Sequence, residues 1–466
     1  MFLLVAFGFG LIAKYCKLPP LIGFLIAGFF LNALGYSNNE TLQAIANMGI
    51  TIMLFTIGLK LNIKDLLKRE ILLGSIAHSC MWIALCSAAV FALGLFVATS
   101  WFNLTWYTAV LIGFAFSFSS TVCVVKILDE AGEIKTRHGK LAIGILVMQD
   151  IFAVLFLVVA TGKIPSPWAA LLVLLIPARP LLQRLLSGSG HGEMLPLTGF
   201  IFALGAYHLF ELVGIKGDLG ALIAGVLLAS QAKSTELSKS LMAFKDLFLI
   251  GFFLTIGLTA LPSIELVSIA LILCLLLPLK FLLFFGLFIS LRLRARTAYL
   301  TSLMMSNYSE FGLIVGAVAL SGGMLEMEWL VILALATAFS FIVTSVLYKH
   351  SHHYYCKHKN HIKQYEHPIP LHQDIYPSLG DAKVLVIGMG RVGKGAFKAI
   401  HAQLGQQVCG IDSDPDKINK LAKLGKNAIV GDGEDIDLWE NLNIQNIELV
   451  LIALPSIEDA SNITQQ

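Results

Sequence analysis

The chain has 466 residues, 57% of them hydrophobic and only 14% charged, with a mean hydropathy of +0.79. Soluble proteins are far less apolar, and a formal net charge of +3 gives no case for nucleic-acid binding. The seven cysteines (Cys16, Cys80, Cys86, Cys123, Cys274, Cys356 and Cys409) are odd in number, dispersed and without CxxC spacing, which argues against a disulfide framework or a zinc site. The first five read as small apolar packing residues.

The apolar mass lies in residues 1–348, while 349–466 read as soluble protein. The first sixteen residues lack a charged start and a small-residue cleavage site, so they read as a first helix rather than a signal peptide. With about 20 residues needed per crossing, the pattern predicts about thirteen helical spans: 1–16, 19–35, 42–60, 71–98, 106–127, 139–161, 167–186, 195–213, 217–231, 244–261, 264–291, 297–321 and 328–348. Basic residues cluster after the odd-numbered spans, as in Lys14 and Lys17, Lys64, Lys68 and Arg69, Lys135 and Arg137, and Arg292, Arg294 and Arg296. Connections after even-numbered spans hold few, mainly Lys163 and Lys216. The positive-inside rule then places the amino terminus outside and the carboxyl tail in the cytoplasm.

Thr-Ile-Gly-Leu occurs at 56–59 and again at 255–258, seven predicted spans later. An odd offset makes the second copy inverted, and inverted repeats hold ion sites near the midplane between broken helices. Two spans after each copy comes a polar interruption: Phe116-Ser-Phe-Ser-Ser-Thr121 and Ser306-Asn-Tyr-Ser-Glu-Phe311. Such side chains re-satisfy backbone groups freed where a helix unwinds, and their oxygens suit a monovalent cation. Gln149 and Asp150 lie one span after the first cluster, Lys280 lies one span before the second, and Glu310 lies within it. An ionisable group at membrane depth costs about 2.5–3.5 kcal/mol. An Asp150–Lys280 pair would offset much of that cost and form a switch that a bound proton or cation opens.

Past the last span, Lys349-His-Ser-His-His353 continues to His367 and His372. Irregular spacing and neighbouring lysines argue against a metal and for a basic, solvated, His-rich linker over 349–380 that contacts anionic lipid. Residues 381–466 then read as a Rossmann-type domain. The run Val384–Ile387 ends directly in Gly388-Met389-Gly390-Arg391-Val392-Gly393, a helical stretch follows, and a second β-run ends in Asp412. Strand, glycine turn, helix and acidic residue together form the dinucleotide context. The glycines let a phosphate approach the backbone, and Asp412 accepts from ribose. Two further β-runs follow, at 428–430 into Gly431 and Asp432, and at 449–453. Four strands make the domain shorter than a full nucleotide-sensing module.

Together these motifs resemble the monovalent cation:proton antiporter superfamily, and in particular its Kef-type potassium efflux systems with a C-terminal nucleotide-binding (RCK/TrkA-N) domain. The matching stretches are Leu54–Leu59, Ser119–Thr121, Gln149-Asp150, Phe252–Gly257 and Ser309–Phe311, together with the Rossmann pattern. The resemblance implies an all-α polytopic membrane domain of about thirteen helices, with inverted repeats and crossed broken helices, plus an α/β Rossmann-like cytosolic domain. It implies a homodimer, alternating access, and a carboxylate shared by cation and proton. On this sequence that carboxylate is Asp150. Ser119, Ser120 and Thr121 line the first crossover, Asn307, Ser309 and Glu310 line the second, and Lys280 matches the family's intramembrane lysine. Gln149 stands where sodium-type members have a second aspartate, which fits one-for-one exchange.

The chain thus reads as a non-enzymatic integral protein of the bacterial inner membrane that exchanges K+ (or Na+) for H+. An adenine nucleotide (AMP, ATP or NAD(H)) binds as a regulatory ligand, with no redox cofactor. Asn-Tyr-Ser before Glu310, where many Kef members are glycine-rich, leaves K+ against Na+ open. Glutathione control, which in that family involves a later part of the domain, is not carried over. A ligand-gated channel lacks a TVGYG-type filter here. A membrane NAD(P)H oxidoreductase lacks a haem or flavin motif.

Overall fold

The computed structural model describes residues 1–16, 20–60, 67–94, 104–134, 136–160, 166–215, 217–229, 231, 233–259, 261–368, 371, 378–433, 435–442, 444–454 and 463–464. Lys17, Lys64, Lys135, Lys163, Lys216 and His372, used above for orientation and the linker, lie outside them. The chain divides into two compact units. The first is Met1–Cys123, Gly144–Phe284 and Met305–Leu347; the second is Val124–Ile143, Phe285–Met304 and Tyr348–Gln466.

In chain order the helices of the apolar region are α1 (Phe2–Tyr15), α2 (Pro20–Ala33), α3 (Glu40–Lys60), α4 (Arg69–Gly94), α5 (Trp106–Ser117), α6 (Thr121–Glu130) and α7 (Arg137–Ala160). A 3-10 turn, Pro167–Leu174, leads into α8 (Leu175–Gly188). Then follow α9 (Met194–Leu212), α10 (Gly217–Leu228), α11 (Ser234–Thr259), α12 (Ile264–Cys274), α13 (Leu277–Ser290), α14 (Ala295–Met305), α15 (Glu310–Ser321) and α16 (Met327–Lys349). Among the described residues six helical stretches are long and apolar enough to cross a membrane, or seven if the α14–α15 pair, bent by 41°, is one span. Of the other predicted spans, 1–16, 19–35 and 217–231 are the shorter helices α1, α2 and α10, 106–127 is divided between α5 and α6, and 42–60 and 139–161 are α3 and α7.

Within the first unit the Thr-Ile-Gly-Leu copies fix two close crossings. A Cβ on Gly58 would lie 2.3 Å from the Leu222 carbonyl oxygen and 2.9 Å from the Gly225 Cα. A Cβ on Gly257 would lie 2.5 Å from the Leu25 carbonyl oxygen and 2.7 Å from the Gly28 Cα. Only glycine permits backbones this near. The partners belong to a second repeated tetrapeptide, Leu25-Ile-Ala-Gly28 and Leu222-Ile-Ala-Gly225, which the sequence reading missed. Each copy of one motif packs on the distant copy of the other. Cys16 and Cys80 are exposed, so packing does not account for them.

The second unit contains α17 (Ser351–Lys363) and the strands β1 (Val384–Ile387), β2 (Val408–Asp412), β3 (Ala428–Val430) and β4 (Leu449–Ile452). Between them lie α18 (Arg391–Leu404), α19 (Pro415–Ala422) and α20 (Ile436–Asn441). The four strands form one parallel sheet in the order β3-β2-β1-β4. Both faces of β1 are covered: Leu385 and Ile387 pack with Cys409, Ile411 and Leu438, while Val384 and Val386 pack with Val408, Phe397 and Ile418. Continuous apolar runs are what a two-sided parallel sheet requires.

The expected solvated linker differs from the structure over its first half. Ser351–Lys363 is a helix with Ser351 and Tyr355 buried. Tyr355 donates to Asp437 at 2.6 Å, Lys363 pairs with Asp437 at 2.6 Å, and Lys359 pairs with Glu440. The helix is basic because it docks on acidic residues of α20, a long-range partnership that local composition does not reveal.

Candidate functional site

Both polar interruptions break their helices. Helix α5 ends at Ser117 and α6 starts at Thr121; α14 ends at Met305 and α15 starts at Glu310. The two breaks bond to each other. Ser119 Oγ donates to the Met305 carbonyl at 2.7 Å, the Ser120 amide donates to Asn307 Oδ1 at 2.7 Å, and Ser120 Oγ donates to Glu310 Oε2 at 2.7 Å. Ser309 Oγ caps α15 by accepting from the Phe311 amide. Buried backbone groups need partners, and here each freed group named has one. Thr344 Oγ1 donates to the Ser306 carbonyl and the Tyr308 amide donates to Ser340 Oγ. Neither Thr344 nor Ser340 was singled out in the sequence, where each is one hydroxyl in an apolar helix.

Gln149 serves the same end. Its Oε1 accepts from the Ser119 amide at 2.9 Å. Asp150, one residue on and 2% exposed, accepts from Thr121 Oγ1 at 3.1 Å to Oδ2 and 3.4 Å to Oδ1. Glu310 lies within electrostatic reach of Asp150, as does Lys245 on α11, a charge the sequence reading passed over.

Lys280 is fully buried, but it does not pair with Asp150. Its ammonium donates to the carbonyls of Phe116 at 3.1 Å, Phe118 at 3.0 Å and Asn307 at 2.7 Å. It also lies 5.5 Å from the Trp82 ring centre and 5.3 Å from that of Tyr308. The expected ion pair is thus corrected. Three carbonyls released by the two breaks use all three donors of the ammonium, and two aromatic faces complete its surroundings. Lys280 ties the breaks together and leaves the Asp150 carboxylate to Thr121 among the described residues. A buried carboxylate beside the Thr121 hydroxyl suits a partly dehydrated monovalent cation or a proton.

In the second unit, Gly388 has φ +86°, and a Cβ on Gly393 would fall 1.8 Å from the Gly388 carbonyl oxygen. The turn from Gly388 through Met389, Gly390, Arg391 and Val392 therefore closes only with glycine at both ends. Nothing lies within 4 Å of a Cβ placed on Gly390, so the turn faces open space at the start of α18. That is the cradle a phosphate group needs. Asp412 braces this turn: Oδ2 accepts from the Met389 amide at 2.7 Å and from Lys417 at 2.8 Å, and Oδ1 accepts from the Asp414 amide at 2.8 Å. Asp432 follows β3 and pairs with Arg296 at 3.1 Å.

Residues 2–350 match the family model of the transmembrane sodium/hydrogen exchanger, and residues 384–466 match that of the TrkA-N domain. The chain belongs to the sodium/hydrogen exchanger family of cation:proton antiporters. Its pairing of exchanger and C-terminal TrkA-N domain is that of the Kef-type systems. It is 27% identical to the glutathione-regulated potassium-efflux system protein KefC of Shigella flexneri, over 97% of this chain and 74% of that protein. It is 28% identical to KefC of Cronobacter sakazakii, with the same coverage. Among solved structures, the sodium proton antiporter MjNhaP1 from Methanocaldococcus jannaschii aligns with a TM-score of 0.52 over 78% of this chain and 99% of that one. At 14% identity this likeness speaks for the fold alone.

Proposed function

We propose that the protein exports potassium in exchange for protons by alternating access, with Asp150 carrying cation and proton in turn. The observation that carries this reading is the pair of mutually bonded helix breaks with Asp150 and Thr121 beside them. In this reading Thr121, Ser119, Ser120, Asn307, Ser309 and Glu310 supply or orient oxygens, Gln149 and Lys280 hold the breaks in shape, and Asp150 changes its ligand. Potassium is supported by the names of the similar proteins, which are potassium-efflux systems. The protein works as a homodimer with its amino terminus outside and the domain after α17 in the cytoplasm. An adenine nucleotide binds that domain as a regulatory ligand, its phosphate at Gly388, Gly390 and Gly393 and its nucleoside toward Asp412 and Asp432. The open face of the glycine turn supports this assignment.

Reconstituted vesicles with an internal pH dye test the transport reading. Potassium should drive proton movement that Asp150→Asn abolishes while the variant keeps wild-type thermal stability in detergent. Adding Na+, Li+ and Rb+ in turn ranks the cations. Exchange at the wild-type rate in Asp150→Asn would refute the role given to this carboxylate.

A further inference from the structure

The second unit contains a polar network that neither ion binding nor phosphate binding uses. Its centre is Arg296, in the first turn of α14 and only 4% exposed. Its Nη1 donates to Asp432 Oδ2 at 3.1 Å, its Nε lies 3.6 Å from Asp435 Oδ1, and its Nη2 lies 3.2 Å from His352 Nδ1. Arginine only donates, so His352 Nδ1 is the acceptor and its ring proton sits on Nε2. That nitrogen faces Glu133 Oε1 at 2.8 Å. Glu133 also meets His138 Nε2 at 3.1 Å and accepts from the Tyr348 hydroxyl. Arg294 adds a second ion pair to Asp435 at 3.2 Å. Arginine keeps its charge in proteins, and Asp432 and Asp435 balance it here.

The ends of this network are informative. Glu133 precedes α7, the helix that carries Gln149 and Asp150. Arg296 begins α14, whose other end opens into the break at Asn307 and Ser309. Asp432 leaves β3 at the carboxyl edge of the parallel sheet, where the preceding Gly431 amide donates to the Asp412 carbonyl at 3.1 Å. Open parallel sheets bind ligands along this edge. The Asp432 side chain is 19% exposed, so a ligand can reach it.

We propose that Arg296 is a coupling latch that shares Asp432 with the nucleoside part of a ligand bound at the glycine turn. Capture of Asp432 by a ribose hydroxyl or an adenine amino group releases one arm of the guanidinium. It thereby loosens the starts of α7 and α14, the helices leading to the ion site. The ligand half rests on the nucleotide reading above; the latch between Arg296 and Asp432 does not. A ligand shifts an equilibrium only through different affinity for the two arrangements, and the coupling is reciprocal. Removing Arg296 must therefore favour the ligand.

The test uses the full chain: exchange in vesicles, and calorimetry with AMP, ATP and NADH in turn. Arg296→Gln and Asp432→Asn should change the rate without nucleotide in the same direction, by about fivefold or more, and the double variant should add little. Arg296→Gln should bind its nucleotide more tightly by a similar factor. Arg296→Lys, which restores the charge, should recover part of the rate, and it replaces Arg296→Gln if that variant misfolds. Additive effects of the two single variants, or a wild-type rate in Arg296→Gln, would overturn the latch. If wild-type protein binds none of the three nucleotides, the ligand half fails together with the nucleotide reading, and the two rates still decide the latch.

Discussion

Replacing Lys280 by methionine keeps the apolar stem and the volume of the side chain but removes its donors. The carbonyls of Phe116, Phe118 and Asn307 then lose their shared partner in a buried place. Each stranded carbonyl costs about 1–3 kcal/mol. The three are not independent, and the lysine itself was expensive to bury, so the expected loss is about 3–5 kcal/mol, the range for breaking a buried charged contact on one side. Denaturant unfolding in mild detergent reads this value. The comparison with Asp150→Asn is decisive. An ion pair between the two residues would make the second substitution recover much of the loss, because it removes the stranded carboxylate. The arrangement here contains no such pair, so Asp150→Asn should recover nothing beyond about 0.5 kcal/mol, the scatter of independent sites. Recovery of more than about 1 kcal/mol in the double variant would refute the assignment of Lys280 to the helix breaks.

Two further outcomes follow from geometry and charge. Gly58→Ala places a methyl 2.3 Å from the Leu222 carbonyl and should destabilise by about 1–3 kcal/mol in the same unfolding assay, whereas Gly8→Ala, with nothing within 4 Å, should be close to neutral or slightly stabilising. In the second unit burial pushes the Asp435 carboxyl up, but Arg296 and then Arg294 outweigh it and hold the group below its ordinary value. The folded carboxyl thus stays ionised where the unfolded one has taken up a proton. Its stabilising contribution is complete above the unfolded pKa of about 3.9 and is lost as pH falls through the lower folded value. Asp435→Asn should therefore melt earlier than wild type at pH 7, and the gap should narrow on acidification below about pH 4; a gap that stays constant down to about pH 3 would contradict the pairing.

The helix breaks were legible because Ser, Thr and Asn in mid-span have few uses except to satisfy an interrupted backbone. The glycine turn was legible because its strand, turn and helix are contiguous. Lys280 was misassigned for a physical reason. Sequence gives depth in the membrane but not the direction a side chain takes round its helix. Asp150 and Lys280 share a depth, and opposite charges in a medium of low polarity suggest a pair. The breaks nevertheless offered the ammonium three carbonyl acceptors, a set that no single residue advertises. Arg296 was hidden differently. Among Arg292, Arg294 and Arg296 it looked like one more orienting charge, and its carboxylates come from a domain far downstream.

The swapped glycine motifs explain why two interruptions so distant in sequence meet. Thr-Ile-Gly-Leu of α3 packs on Leu-Ile-Ala-Gly of α10, and the same motif of α11 packs on its counterpart in α2. Exchanging the two copies turns each contact into the other, which is the property of a two-fold relation between repeats. Whatever follows these helices at matching positions in each copy is then brought to the same axis from opposite directions. The breaks behave accordingly: Ser119 of the first donates to the Met305 carbonyl of the second, while Asn307 of the second accepts from the Ser120 amide of the first. Neither break can be satisfied alone, since each supplies what the other lacks. A substitution that opens one should unsettle both, and Lys280, with carbonyls from each side on one ammonium, is where that dependence is most concentrated.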